Sequence, residues 1–172
     1  LRWQFEVNVF SIVALIKACF PLLQPCKGRI INISSMAGRM AMPFMGPYAM
    51  SKFALEAYTD SLRRELTPLG MEVIAIQPGP IQTPIFEKSA PDLSKFDGSL
   101  FEERVKRMST KALETFAKQS LPAHRVTELV LHAICAARPR TRYVVSKGKW
   151  LRLALEKLPD RWVDAVLHRI LR

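Results

Sequence analysis

Apolar positions change their period several times along this chain, and each change predicts an element. Over the first 23 residues Trp3, Val7, Phe10, Val13, Ala14 and the neighbours between them are apolar on nearly every side of a helix. That pattern predicts a helix over 1–23 that is buried on two sides. Lys17 and Asn8 argue against a membrane span there, as does an apolar stretch short of the roughly 20 residues a span needs. Pro21, Pro25 and Gly28 predict its end. Arg29 to Ser34 is short and β-branched, a strand pattern. A loop from Ser35 to Pro47 carries the breakers Gly38, Pro43, Gly46 and Pro47. Pro47 suits a helix start. Ala54, Ala57, Tyr58, Ser61 and Leu62 then form one stripe at helical spacing, with Glu56, Asp60, Arg63 and Arg64 as the wet side. Small residues on the stripe permit close helix packing, and Thr67-Pro68-Leu69-Gly70 closes the helix.

From Glu72 to Gln77 the run Val73, Ile74, Ala75, Ile76 is continuously apolar, which predicts a parallel strand covered on both faces. Pro78-Gly79-Pro80 follows at its carboxyl end, where open α/β sheets bind ligands; the same residues also suit a plain turn. Residues 84–99 read as a loop, with Pro91, Asp92, Asp97 and Gly98. Phe101, Val105, Met108, Ala112 and Phe116 return to helical spacing. A further helix is expected over 123–137 and a third strand over 141–146. In the last stretch, 149–172, Trp150, Leu151, Leu155, Leu158, Trp162, Val166 and Ile170 supply apolar anchors for a helical arm. Pro159-Asp160 breaks that arm and starts it again.

Charge adds a second division. The net charge is +11 over 172 residues. Residues 138–172 hold ten Lys or Arg against three Asp or Glu, so +7 of it sits in the tail. No DNA- or RNA-binding motif accompanies that tail, so nucleic acid is not an expected partner. At 49% apolar residues the chain is globular rather than disordered. Cys19, Cys26 and Cys135 lack CxxC or metal spacing and read as reduced thiols in a cytosolic setting. The scattered His124, His132 and His168 give no metal site.

The chemistry concentrates between Gly28 and Lys52. Tyr48 and Lys52 are four apart, on one helix face. Ser35 lies at the end of the first strand, thirteen residues before Tyr48. A free tyrosine, with a pKa of about 10, is a poor base at neutral pH. An ammonium one turn away favours the phenolate, and the pair can then exchange a proton near neutrality. A serine hydroxyl can hold a carbonyl or alcohol oxygen in place. Together they suit proton transfer at such an oxygen.

These residues resemble the short-chain dehydrogenase/reductase family of the classical type. The match rests on Tyr48-Ala49-Met50-Ser51-Lys52, on Ser35 within Asn32-Ile33-Ser34-Ser35, on Asn8 in Glu6-Val7-Asn8-Val9, and on Pro78-Gly79 with Thr83. The resemblance implies an α/β fold, a Rossmann-like doubly wound parallel sheet, of which this chain would hold the last three strands and their helices. It implies a hydride passed between the nicotinamide of NAD or NADP and a carbonyl or secondary alcohol. Tyr48 would be the general acid/base, and Lys52 would hold the nicotinamide ribose. Ser35 would position the substrate oxygen, with Ser34 the rival claimant, and Asn8 would order a water of the proton relay. A polar residue simply satisfied inside a helix is the other reading of Asn8. Tyr48, Lys52, Pro78, Gly79, Ile81 and Thr83 would meet the cofactor.

The same resemblance implies that residues 84–120 cover the substrate pocket; their apolar stripe suits an apolar substrate or ordinary packing. It implies a homo-oligomer through the helices at 1–23 and 47–66. Pro139-Arg140-Thr141-Arg142-Tyr143 followed by a helical arm is similar to the steroid and retinol dehydrogenases, which implies a bulky apolar alcohol or ketone. The expected layout is a domain part over 1–148 and a basic arm over 149–172. The arm would meet a pocket mouth or an anionic membrane surface, or dock on its own sheet; the expected location is cytoplasmic, with or without membrane association. No TGxxxGxG turn and no NAG motif occur, and Leu1 is not a methionine. The expectation is therefore the carboxyl-terminal portion of such an enzyme. A catalytically silent interaction module is the alternative.

Overall fold

A computed structural model of the chain describes residues 1–84 and 92–171. The expected loop residue Pro91, the side chains of Arg152 and Ile170, and Arg172 lie outside the described residues. Two compact units form: Leu1–Gly79 with His124–Val145, and Pro80–Ala123 with Ser146–Arg172. The boundary at 148 given by sequence pattern differs from this division, because residues 80–123 gather with the arm.

The first unit opens with helix α1, Arg2–Leu23, whose Glu6–Phe10 segment is π-helical. Such π turns occur mostly as single insertions in longer helices, frequently at functional sites. Two expectations fail here. Pro21 lies inside the helix rather than ending it. The turn carrying Lys17, whose carbonyl loses its partner, is exposed, so water can serve instead. The helix is also buried on one side only. Val9 and Ile16 are buried, while Trp3, Val7, Phe10, Leu15 and Leu22 are exposed. At 22 residues α1 is long and apolar enough, by length and composition, to cross a membrane, so the length argument against a span does not hold.

Strand β1, Arg29–Ile33, leads through a 3-10 turn at Met36–Gly38 to helix α2, Gly46–Leu66. Pro47 occupies its first turn, where a missing N–H costs nothing. Gly70, at φ +76°, closes it in the left-handed conformation that glycine adopts without strain. The buried side of α2 is Ala49, Leu55, Glu56, Thr59, Leu62 and Leu66. Of the expected stripe, Ala57 and Ser61 are exposed, Ala54 and Tyr58 half-buried and Leu62 buried; Glu56, expected to be wet, is buried instead. The reason for Glu56 is a cation supplied from another element, described below.

Strand β2, Glu72–Pro78, pairs in parallel with β1 and with β5, Arg142–Val145, so the sheet order is β1-β2-β5. Val73 to Ile76 are almost wholly buried, as the apolar run predicts. Strand alternation separates the two faces. On one face Asn32 and Arg142 reach α2. On the other, Arg29 donates to carbonyls of helix α4, His124–Cys135, and Tyr143 meets His132 edge-on. Ile16, Ile30, Leu62, Leu66, Met71 and Val73 form a core cluster, with Ile12, Phe20, Leu23 and Tyr58 against it. At about 25 cal/mol per Å² of apolar area, each such side chain contributes roughly 1.5–3 kcal/mol.

In the second unit, two-residue strands β3, Ile81–Gln82, and β4, Leu121–Pro122, pair in parallel. Helix α3, Glu102–Gln119, buries Val105, half-buries Met108 and Phe116, and leaves Ala112 exposed. The arm consists of α5, Lys149–Leu155, and α6, Asp160–Leu171, the latter packed against α3. Its expected anchors are corrected in part. Leu155 is half-buried, but Trp150, Leu151 and Trp162 are exposed, so they do not hold this fold together.

Candidate active site

The carboxyl end of the sheet in the first unit gathers the residues singled out by their spacing. Lys52 is the centre. Its Nζ donates to the carbonyl oxygen of Ile33 at 3.2 Å, which ties α2 to the last residue of β1. The same nitrogen lies 5.9 Å from the centroid of the Tyr48 ring. Burial pushes the Lys52 ammonium below the usual lysine range, and the Glu56 carboxylate one turn on pulls it back up. Tyr48 is half-buried, and no hydrogen bond among the described residues engages its hydroxyl.

Ser35 caps the 3-10 turn. In extended backbone, its Oγ accepts from the Ala37 N–H at 3.1 Å. That bond uses a lone pair and leaves the Ser35 proton free to be donated. Ser34 differs: its Oγ is buried and has no hydrogen-bond partner among the described residues. Ser35, half-buried and pre-oriented by its cap, is therefore the better placed of the two to meet a substrate oxygen. Gly38 explains how the turn stays close to Lys52. A Cβ there would sit 2.8 Å from the Lys52 carbonyl oxygen and 2.8 Å from the Glu56 Cγ, so only glycine allows this approach.

Asn8, in the π-helical turn of α1, donates through Nδ2 to Ser51 Oγ at 3.0 Å. Ser51 Oγ in turn donates to the Tyr48 carbonyl oxygen at 2.8 Å. The Asn8 side chain thus braces the first turn of α2 from α1. Pro78 and Gly79 lie at the end of β2, where the Gly79 N–H donates to Val145 at 2.9 Å. Ile81 and Thr83 belong to the second unit; Ile81 pairs with Leu121, and the Thr83 hydroxyl points back to the Ile81 carbonyl. Asn8, Ser35, Tyr48 and Lys52 thus all lie within one unit, and Ile81 and Thr83 in the other. An open cleft of about 460 Å³ lies at the sheet's other end, between Arg63, Glu72 and Arg140, and includes none of these residues.

Sequence pattern missed the ionic support beneath the site. Arg142 on β5 donates from Nε to Glu56 Oε2 at 3.0 Å and pairs through Nη2 with Asp60 Oδ1 at 2.7 Å; Arg63 also reaches Asp60, at 3.0 Å. Burial alone would raise the Asp60 carboxyl, but hydrogen bonds from Arg142 and Arg63 outweigh it and hold the group below the usual range. The available signal was the four-residue spacing of Lys52, Glu56 and Asp60, which puts all three on one helix side.

The geometry suits a nicotinamide cofactor: a lysine with two N–H donors and a phenol unengaged among the described residues, and a pre-oriented serine, share the carboxyl end of a parallel sheet. Residues 2–94 match the family model for short chain dehydrogenases. Over 178 aligned residues the chain is 38% identical to the NADPH-dependent 3-dehydrocapnine reductase of Ornithobacterium rhinotracheale, covering all of this chain and 62% of that protein. It is 35% identical to retinol dehydrogenase 5 of Mus musculus, over 96% of this chain and 56% of that one. A crystal structure of a short chain dehydrogenase from Burkholderia cenocepacia in complex with NADP overlaps with a TM-score of 0.72 at 23% identity, over 96% of this chain and 58% of that one. The chain thus spans about 60% of the length of these relatives.

Proposed function

The chain belongs to the short chain dehydrogenase family, and on that premise we propose that it carries the catalytic face of an NAD(P)-dependent oxidoreductase. The observation that carries the reading is the Lys52 ammonium, tied to Ile33 and set beside the Tyr48 ring, with a free phenol and a serine proton to spare. When bound, a nicotinamide supplies or accepts the hydride. Tyr48 gives a proton to the carbonyl oxygen in reduction and takes it back in oxidation. Ser35 donates to that oxygen and fixes its position. Lys52 stabilises negative charge developing on the phenol and offers its remaining N–H groups to the ribose. Asn8 keeps the Tyr48 turn in place through Ser51 and supports the proton relay. Pro78 and Gly79, and in the second unit Ile81 and Thr83, are the proposed remaining cofactor contacts.

The substrate is proposed to be a bulky apolar alcohol or ketone. The likeness to a retinol dehydrogenase supports this class. A homo-oligomer is proposed through the outer faces of α1 and α2, where Trp3, Phe10, Leu22, Met50 and Phe53 are exposed. The arm is proposed to touch an anionic membrane surface, since Trp150 and Trp162 are exposed beside Lys149, Lys157 and Arg161. Each basic residue near such a surface adds roughly 1 kcal/mol. The test of the central reading is fluorescence titration of NADH and NADPH into a version of the chain extended to the length of its relatives. Micromolar binding of either supports it. No binding of either would favour a silent interaction module.

A further inference from the structure

The ionic group beneath Lys52 has no role in the chemistry just described, and three observations give it one. Glu56 is 4% exposed, an unusual place for a carboxylate, and lies one helical turn beyond Lys52. Its Oε2 is taken by Arg142 from β5, whereas its Oε1 is buried without a hydrogen-bond partner among the described residues. Its Cγ and the Lys52 carbonyl together form the surface on which Gly38 rests, so the turn capped by Ser35 is seated directly on this carboxylate's stem. Arg142 is held in turn by Asp60, which Arg63 also grips. A charge this well fixed cannot swing away to water.

We propose that Glu56 is a positioning residue of the site: clamped by Arg142, it sets the charge state of the Lys52 ammonium and seats the Ser35 turn against Lys52. The inference rests on the oxidoreductase reading for its function, but its physical content belongs to this chain alone. Burial alone favours a neutral Lys52, which could not stabilise a phenolate; the fixed carboxylate opposes that. The other charged or titratable groups on elements packed here are Tyr48, Tyr58, Asp60, Arg63, Arg64 and Glu65 on α2, Arg29 on β1, Arg142 and Tyr143 on β5, Arg39 after the 3-10 turn, and Arg2, Glu6, Lys17 and Cys19 on α1. Strand β2 offers only Glu72, at its far end.

The test follows Lys52 itself. Trace acetylation with acetic anhydride, read lysine by lysine in a mass spectrometer across pH 7–11, reports when Lys52 loses its proton. Glu56→Gln is expected to lower the Lys52 midpoint by about 1 pH unit, the shift typical of losing one close opposite charge. Glu56→Asp keeps the charge and should stay close to the wild type. Arg142→Gln removes the counter-charge and should raise the midpoint. General loosening would instead move Glu56→Gln and Arg142→Gln the same way, together with other lysines, and would overturn the proposal. So would a Lys52 midpoint in folded Glu56→Gln equal to the wild type. In the extended protein, the alkaline limb of turnover should fall in Glu56→Gln in step with the midpoint. If the extended protein binds neither NADH nor NADPH while the labelling result holds, the oxidoreductase reading fails and the charge coupling stands. If Tyr48→Phe abolishes turnover and the Lys52 midpoint does not move, the positioning role alone fails.

Discussion

In the first unit Asn32, Ser51, Glu56 and Thr59 are buried, and each is tied by a hydrogen bond to a neighbouring element or to its own helix. In the second, Leu100, Trp150, Leu151 and Trp162 are exposed. Around the sheet the first unit buries polar groups, whereas the second, like the outer side of α1, shows apolar groups to solvent. Burying polar groups is stabilising only when every one finds a partner, and such networks rigidify what they join. Exposed aromatic and leucine side chains do little for the fold that displays them and are suited to contact with something outside it. The difference teaches where precision and where adaptability reside. The proposed proton transfer would require atoms held to within tenths of an ångström, and the hydrogen bonds around Lys52 suit that. An apolar surface beside basic residues can meet a lipid or a bulky substrate without a fixed register.

Substitutions on each side of this comparison should separate cleanly. Apart from loss of the Tyr48 hydroxyl, the largest effect is expected from Ser35→Ala in the extended protein. Loss of one pre-oriented hydrogen bond to the reacting oxygen should lower turnover by about 10²–10³-fold, roughly 3–4 kcal/mol, with little change in melting temperature. An effect below tenfold would shift the role to Ser34. Next is Arg142→Gln, which strands the buried Glu56 carboxylate and leaves Asp60 to Arg63 alone. It should cost about 2–3 kcal/mol in urea unfolding, somewhat less than a fully buried pair because Arg142 keeps 24% of its side chain in solvent. The variant should also weaken at low pH by a smaller increment than the wild type. The Asp60 carboxyl titrates below its unfolded value, so its contribution is present above roughly pH 4 and is lost as pH falls through the folded value. Arg142→Gln removes much of that lowering, so a stability curve between pH 5 and pH 2 should be flatter.

Gly38→Ala comes third. Its methyl would meet backbone at 2.8 Å, so either α2 or the Ser35 turn must shift. About 1–3 kcal/mol of stability should be lost by thermal unfolding, the usual cost of overpacking. Smallest of all is Trp162→Ala in the arm, two-thirds exposed. Stability should change by no more than about 0.5 kcal/mol. The same variant should nevertheless reduce flotation with anionic vesicles and leave neutral vesicles unaffected. Equal behaviour on both vesicle types would remove the membrane from the account of the second unit.

Much of the first unit was legible in sequence because its signals are local. The run from Val73 to Ile76, the Pro47 start of α2 and the Gly70 stop each act within a few residues, and the observed elements begin and end close to where these place them. The Tyr48–Lys52 pair was legible for the same reason, since helix geometry alone sets its face. What was not legible depends on partners far along the chain. Glu56 reads as a solvated residue until Arg142, 86 positions later, is brought beside it. Small residues such as Ala57 and Ser61 tolerate either side of a helix, so their spacing does not say which side of α2 meets the sheet. Pro21 reads as a stop in sequence because its cost depends on whether water can reach the carbonyl it strands, which sequence does not encode. In the arm, helical spacing of apolar residues could not say which side would face the unit and which would face out.

The most direct test of the account is turnover by Tyr48→Phe in the extended protein, followed by absorbance of the reduced nicotinamide with a bulky apolar ketone or alcohol. Phenylalanine keeps the ring beside Lys52 and removes only the oxygen that carries the proton. The account predicts a loss of about 10²–10⁴-fold with cofactor binding retained, the usual worth of a general acid/base. Turnover equal to the wild type, with the cofactor still bound, would contradict it and take Tyr48 out of the chemistry.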